Sequence, residues 1–208
     1  MSEKSQKILR AFVAVVLGLC AVFMSVWTVV TEKADVNLVV SAGKTDAVAR
    51  VTQFKTYSKG VSQGSFQNYV SEFGGVFGSY GTATFRDNVL SLNRLRVEDR
   101  VDFVIDFSDK SDVEMQYRVV LECKSDYYGL YEGLEISISS NSISKTTYAC
   151  SYEGESPKNV ESDWVALAVG KKTDKIYVSV KLPIDNAEYS GYGTQISVAV
   201  QVIPLIES

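Results

Sequence analysis

Residues 97–123 read VEDRVDFVIDFSDKSDVEMQYRVVLEC, and they contain two runs in which apolar and polar residues alternate. A period of two is typical of a β-strand with one face buried and the other face in water. The first run predicts a strand with the buried side chains Val101, Phe103, Ile105 and Phe107. The second run predicts a strand with the buried side chains Met115, Tyr117, Val119, Leu121 and Cys123. We expect residues 108–112, SDKSD, to join the two strands as a solvated hairpin connection.

The same alternation continues through the chain beyond residue 33. Two further strands are clear, KIYVSVKLP (175–183) and TQISVAVQVI (194–203). Shorter candidates are ADVNLVV (34–40), DAVARVTQF (46–54), TATFRDNVLSLN (82–93), LEISIS (134–139) and SISKTTY (142–148). Many short strands separated by turn-rich segments predict an all-β domain over residues 34–208, an antiparallel β-sandwich of jelly-roll type.

One helix is predicted inside this domain, over residues 65–73, and the alternative for parts of this region is a mobile loop, because Gly and Ser are dense over residues 58–81. Ser65 is suited to cap its first turn, and the Gly74-Gly75 pair is suited to stop it. A second apolar segment, Trp164 and the residues that follow it, predicts a strand whose tryptophan fills the core between the sheets.

The first thirty residues form a separate N-terminal segment. Lys4, Lys7 and Arg10 precede residues 11–30, AFVAVVLGLCAVFMSVWTVV, which contain no charged side chain. A basic start followed by an apolar helix of this length predicts export, with residues 1–33 acting as a signal peptide or as a transmembrane anchor. If this segment is not cleaved, residues 11–30 hold the protein in the membrane.

The composition excludes several classes of function. The chain has 208 residues and no histidine, so catalysis by Ser-His-Asp, Cys-His or HExxH sites is excluded. There are 21 basic and 25 acidic residues, giving a net charge of −4, and this acidic balance argues against a nucleic-acid partner. No glycine-rich phosphate loop is present, so nucleotide binding has no support. Because the chain also has no histidine and no ligand cluster that compensates for it, no cofactor is predicted and we expect a protein that is not an enzyme.

Three carboxylates around SDKSD have a spacing that could bring them to a calcium ion. Asp106, Asp109 and Asp112 are spaced by three, but the glycine and the distal glutamate of an EF-hand loop are missing. The pattern favours a polar turn in which Asp and Ser make local hydrogen bonds, and no metal site is predicted.

Two cysteines lie in the exported part, Cys123 and Cys150. In an oxidising compartment an even pair of cysteines favours a disulfide, which makes these two a candidate bridge. The alternative is a pair of buried apolar thiols that do not meet.

A cluster of aromatic residues suggests a contact surface. Tyr127, Tyr128 and Tyr131 are candidates for contact with a partner or for stacking on a sugar, and they lie beside Glu132. Ordinary packing of tyrosines at the edge of a sandwich is an equal alternative.

The order of the motifs resembles that of the TasA/camelysin family of exported bacterial biofilm-matrix proteins. The matching segments cover about two thirds of the chain. They are VTEKADVNLVVSAG (30–43), LNRLRVEDRVDFVIDFSDKSDVEMQYRVVLEC (92–123), GLYEGLEISI (129–138), DWVALAVG (163–170) and VSVKLPIDNAEYSGYGTQISVAVQVI (178–203). The sequence departs from the family where Val29 and Val30 replace aromatic residues and where Val97-Glu98-Asp99 replaces Pro-Gly-Asp.

The resemblance implies a non-enzymatic matrix or cell-surface fibre subunit with a jelly-roll domain. In fibrous members of the family, a segment of one subunit completes the sheet of its neighbour. Here residues 34–40 fit that role as a donor strand, with Val36, Leu38 and Val40 on one face. The partner would be a second copy of the chain or a related matrix subunit. The metalloprotease activity described for some members is not carried over, because the chain has no histidine.

Three alternatives remain open at this point, and one of them is a hydrolase that would need an Asp/Glu pair in a cleft. The donor segment could instead pair within its own sandwich. An uncleaved N-terminal segment would favour a membrane-anchored surface binding module, an adhesin or a fibre-anchoring accessory protein.

Overall fold

The computed structural model describes residues 36–37, 39–41, 47–68, 70, 72–111, 114–167 and 173–205. All of them belong to the compact unit Asp35–Ser208. Within this described part, no helix combines the length and the apolar character that crossing a bilayer requires. The predicted apolar helix over residues 11–30 lies outside the described residues, as do Leu38, Asp112 and Gly170.

The described residues form two large sheets, as expected of a β-sandwich, and the jelly-roll connectivity stays a prediction. Sheet A contains, in spatial order, β1 (Val36–Asn37), β3 (Val48–Ser58), β9 (Arg100–Ser108), β17 (Thr173–Lys181), β11 (Glu135–Ser140) and β12 (Thr146–Ala149). Two short strands, β4 (Val61–Ser62) and β5 (Gln67–Asn68), also pair with β3.

Sheet B contains β15 (Val160–Glu161), β10 (Met115–Tyr127), β18 (Gly193–Pro204), β8 (Val89–Asn93), β7 (Gly81–Arg86) and β6 (Phe73–Phe77). In addition, β16 (Val165–Leu167) pairs with β10 and β2 (Val39–Ser41) pairs with β18. Two strands outside these sheets, β13 (Tyr152–Glu153) and β14 (Ser156–Pro157), form a small hairpin, and the 3₁₀ turns are Leu130–Gly133 and Ile184–Tyr189.

The hydrophobic core lies between the two sheets, and the alternation in the sequence correctly predicts which side chains enter it. The four apolar side chains of β9 and the five of β10 named above are all buried. The long strands β17 and β18 contribute alternate residues in the same way, Ile176, Val178 and Val180 from one and Ile196, Val198, Val200 and Val202 from the other. Within this core the rings of Phe107 and Tyr117 stack with their centroids 4.8 Å apart.

The SDKSD connection is not a hairpin. β9 belongs to sheet A and β10 to sheet B, so the chain crosses from one sheet to the other at this point. The prediction of a solvated turn is wrong for Asp109, which is buried. Its predicted role in local hydrogen bonding is confirmed, because its carboxylate accepts hydrogen bonds from the backbone N–H of Ser111 at 3.0 Å and from the Ser111 hydroxyl at 2.6 Å.

The predicted helix over residues 65–73 is wrong. This segment contains β5, which pairs with β3, and leads into β6, which pairs with β7. Gly74 and Gly75 lie inside β6 instead of stopping a helix. The backbone N–H of Gly74 donates to the Gln67 side-chain oxygen at 2.9 Å, a contact that ties β6 to β5.

Trp164 is also placed differently from the prediction. Its side chain is exposed and does not fill the core. The reason is that it precedes the short strand β16 at the edge of sheet B, where the Arg118 guanidinium lies 4.7 Å from its ring centroid. This cation–π contact covers part of the ring without burying it.

Candidate functional site

The candidate donor segment, residues 34–40, overlaps two short strands, β1 (Val36–Asn37) in sheet A and β2 (Val39–Ser41) in sheet B. β1 pairs antiparallel with β3, with Val36 opposite Val51. β2 pairs parallel with β18, with Val39 opposite Ala199 and Val40 opposite Val200. Among the described strands this is the one parallel pair, and every other pairing is antiparallel.

β2 pairs with a stretch of the edge of β18 that no other described strand covers. One side of β18 is paired with β10 along its whole length. The other side is paired with β8 only from Thr194 to Ser197, and β2 then pairs with Ala199–Gln201. Because an unpaired edge exposes backbone N–H and C=O groups, removal of β2 would leave a site that accepts another strand.

The structure therefore places Val36 and Val40 in strands, within a segment that completes both sheets of its own chain. Leu38 lies outside the described residues. Pairing inside one chain is the alternative left open by the sequence, and the same backbone pairing is available to a segment from another subunit. The donor role stays a prediction.

Two of the three candidate contact tyrosines lie on the surface. Tyr127 is 59% exposed and Tyr128 is 82% exposed. The Tyr128 ring packs against Tyr192, an aromatic residue that the sequence pattern does not single out, with centroids 5.2 Å apart. The sequence does not indicate this contact, because Tyr192 is far from Tyr128 along the chain and meets it only in the folded structure.

Tyr131 does not share this surface, which corrects the prediction that groups it with the other two. Its side chain is buried and lies in the 3₁₀ turn Leu130–Gly133. Its hydroxyl donates to the backbone carbonyl of Lys158 at 2.7 Å. Burial raises the pKa of Tyr131, so the hydroxyl stays protonated and serves as a core hydrogen-bond donor.

A groove of 460 Å³ lies beside Tyr127 on the outer face of sheet B. Side chains opposite one another on neighbouring strands form its floor, including the pairs Thr82 with Asn93 and Thr84 with Ser91. Gln195 extends the second row. The described residues that line the groove carry no charge, so it presents hydroxyl and amide groups next to an exposed ring.

Cys123 and Cys150 are both buried in the structure and both are free thiols. They lie near Tyr131, and burial raises the pKa of the Cys150 thiol to about 12. In this unbridged form, burial keeps the Cys150 thiol protonated at neutral pH. The disulfide between them stays a prediction.

Asp126 organises the loops next to these cysteines. Its carboxylate accepts hydrogen bonds from the backbone N–H of Tyr131 at 3.0 Å and from the Tyr152 hydroxyl at 2.7 Å. These contacts hold the 3₁₀ turn and the small hairpin together. Within the described residues, no three acidic or cysteine side chains lie close enough together to hold a metal ion.

Comparison with known proteins finds only distant structural similarities. No family model matches the sequence, and no curated protein sequence matches it. The adhesin domain of Epf from Streptococcus pyogenes aligns at 6% identity with a TM-score of 0.43, covering 83% of this chain and 64% of that domain. The alignment thus spans less than two thirds of the Epf domain.

Two other solved structures align more weakly. The module TmCBM61, solved with β-1,4-galactotriose, aligns at 12% identity with a TM-score of 0.24, covering 73% of this chain and 86% of that one. A PA14 sugar-binding domain from an RTX adhesin aligns at 7% identity with a TM-score of 0.27, covering 72% and 89%. These scores are too low to indicate a shared function.

Proposed function

We propose that this chain is an exported, non-enzymatic structural protein of the cell surface or biofilm matrix, with a jelly-roll sandwich like that of the TasA/camelysin family. Its subunits join to one another, or to a related matrix subunit, when residues 36–41 of one chain pair with the sheets of the next. The observation that supports this proposal is the short parallel strand β2 on the open edge of β18.

The pairing of this segment permits exchange at little cost in hydrogen bonds. A segment that pairs with β3 and β18 makes the same backbone hydrogen bonds whether it comes from its own chain or from a neighbour. Exchange therefore changes few contacts, and the balance between the closed and the linked forms depends on concentration. Among the described residues, two residue pairs in sheet A and three in sheet B hold the segment, so its release breaks few bonds.

A mixed-chain cross-link tests the proposal. Val39 and Ala199 are directly opposite each other, so cysteines at these two positions lie within the reach of a disulfide. One chain carries Val39→Cys and a second, mass-labelled chain carries Ala199→Cys. We expect a disulfide that joins the two introduced cysteines, one from each chain, identified by peptide mass after oxidation of mixed, concentrated protein.

The matched control replaces Ala199→Cys with Thr82→Cys, an exposed position on β7 of the same sheet. This control should give no specific linkage to position 39. A cross-link that forms only when both cysteines are in one chain would show closure within the subunit and would contradict the proposal.

A second function is favoured by the exposed pair Tyr128 and Tyr192 and by the uncharged groove beside Tyr127. These features suit a surface binding module held in the membrane by an uncleaved N-terminal segment. N-terminal sequencing of the protein from cells and from medium separates the two functions. A released chain that starts near Ala34 supports the subunit, and intact chain confined to membranes supports the anchored module.

A further inference from the structure

The outer face of sheet A carries a positive charge that the composition of the chain does not suggest. The whole chain has a net charge of −4. The outer face of β3, β9, β17 and β11, together with the loop before β12, carries six cationic side chains and three carboxylates, and a fourth carboxylate, Glu98 of the loop before β9, lies beside Arg100 and Lys181. The cations are Arg50, Lys55, Arg100, Lys145, Lys175 and Lys181, and the carboxylates are Asp102, Asp106 and Glu135.

The strand register shows that these charges share one face. Residues directly opposite each other in a sheet project to the same side. Arg100 is opposite both Tyr57 and Lys181, and Asp106 is opposite both Arg50 and Lys175. Each of these rows therefore combines two cations with one carboxylate, Asp106 between Arg50 and Lys175, and Glu135 beside Lys181.

A groove of 330 Å³ runs across this face between two exposed aromatic rings. Tyr177 is 50% exposed and Phe66 is 41% exposed. Lys55 lies with its Nζ 4.7 Å from the Phe66 ring centroid. Lys145 and Arg100 also line the groove, so cations and aromatic rings lie on the same surface.

Between the rings the groove offers hydrogen-bonding groups without a free negative charge. Gln53, Ser137 and Ser139 line it. Asp102 is the sole carboxylate among the described residues that line it. Its Oδ1 accepts a hydrogen bond from the Ser179 hydroxyl at 2.7 Å and lies 3.0 Å from Arg100 Nε.

We propose that this face binds an acidic polysaccharide, with Tyr177 and Phe66 stacking on sugar rings and with Lys55 and Lys145 pairing with its carboxylates. Aromatic faces pack well against apolar ring surfaces, and the hydroxyl and amide groups match the hydroxyls of a sugar. The local excess of positive charge is complementary to carboxylates carried along the chain.

An acidic polysaccharide fits this face better than a nucleic acid. Duplex DNA carries a charge about every 1.7 Å along its axis, and proteins that bind it are strongly basic overall. This chain is acidic overall, and the cations of this face are interspersed with hydroxyl side chains. Such a surface matches a polymer with fewer charges per unit length.

The experiment measures binding of polygalacturonate to the full chain in a neutral detergent. The comparison ligand is the fully methyl-esterified polymer, which has the same backbone without the charge. We expect polygalacturonate to bind, the ester to bind at least about tenfold more weakly, and binding to weaken between about 0.1 M and about 1 M NaCl because salt screens exposed charges.

Two pairs of variants test whether the polysaccharide binds to this face of sheet A. Lys145→Glu should weaken binding about fivefold to tenfold, since an exposed charge contributes modestly. Its matched control, Lys158→Glu, makes the same charge change in the loop after β14 and should bind as the parent does. Tyr177→Ser should weaken binding about tenfold, whereas Trp164→Ser, at an exposed aromatic residue on the edge of sheet B, should not.

Three outcomes would overturn the inference. They are an absence of polygalacturonate binding, equal binding of the methyl ester, and equal losses in the Lys145→Glu and Lys158→Glu variants. If a poly(dT) oligonucleotide bound more tightly than polygalacturonate, the ligand of this face would be a nucleic acid and not a polysaccharide. Circular dichroism and thermal unfolding of each variant show whether it has kept the parent fold.

Discussion

At the scale of single residues, Asp174 is a buried carboxylate whose charge is held by hydrogen bonds. It accepts hydrogen bonds from the Tyr117 hydroxyl at 2.6 Å, the Ser140 hydroxyl at 2.9 Å and the Lys175 backbone N–H at 2.8 Å. Burial raises the pKa of Asp174, but these hydrogen bonds together lower it below the ordinary value. The ionised form is therefore the one that stabilises the fold.

We predict that Asp174→Asn lowers the free energy of unfolding at neutral pH by about 1–3 kcal/mol. Because the folded-state pKa is depressed, the contribution of the carboxylate is present above the ordinary pKa of aspartate. It is lost as the pH falls through the folded-state pKa. The difference between parent and variant should shrink below about pH 4, measured by urea unfolding. A difference that stays constant with pH would contradict this account.

At the scale of strands, the sequence predicts side-chain alternation well and chain connections poorly. The buried faces of β9 and β10 follow from period two, because each apolar residue on those faces enters the core. The same pattern does not show whether the next strand joins the same sheet, so it predicts a hairpin where the chain crosses at SDKSD. Residues 65–73 carry helix start and stop signals, but pairing with β3 and β7 outweighs these local preferences.

The sequence predicts only part of the candidate site, because here too the contacts depend on how distant segments of the chain come together. Exposure of Tyr127 and Tyr128 follows from their place at the end of a strand, but burial of Tyr131 depends on a turn that packs against the distant Lys158. Tyr177 and Phe66 come together only through the order of strands in sheet A. Residues brought together from distant parts of the chain leave no local signal in the sequence.

The close approach of β6 to β3 gives a prediction at this scale. A Cβ built on Gly75 would overlap the side chain of Thr56, whereas a Cβ on the neighbouring Gly74 would have no atom within 4 Å. Gly75→Ala should lower the free energy of unfolding by about 1–3 kcal/mol, because extra atoms in a packed interior force side chains to shift. Gly74→Ala is the matched control and should be neutral or slightly stabilising.

Denaturant unfolding of both glycine variants makes the comparison. A second change, Thr56→Ser, removes the methyl group that the new Cβ meets and should restore part of the lost stability to Gly75→Ala. Equal stability of the two single variants would show that β6 does not pack against Thr56 as described.

At the scale of the whole molecule, three surfaces lie on different parts of the sandwich. The outer face of sheet A holds the cations, the outer face of sheet B holds the uncharged groove beside Tyr127, and the edge of β18 holds the N-terminal strand. Strand exchange at the edge leaves both faces open. A linked array of subunits would therefore repeat the cationic face along its length and bind an acidic polymer at many points.

The edge of β18 also gives a prediction for the stability of the entire domain. A chain that begins after Ser41 lacks β1 and β2, so it should unfold at a lower temperature than a chain that begins at Ala34. A peptide with the sequence of residues 34–41 should restore the loss when added in trans. A ligand at 100 times its Kd stabilises the folded state by about 2.7 kcal/mol, which corresponds to about 5–10 °C in Tm for a domain of this size.

The control peptide carries Val40→Pro, which removes a backbone N–H from the strand that pairs with Val200. It should raise Tm by much less than the parent peptide. If both peptides act equally, or if neither acts, β18 does not accept a strand from another chain. A specific rise in Tm would show that the edge is a binding site in its own right, and this is the property that polymerisation through residues 36–41 requires.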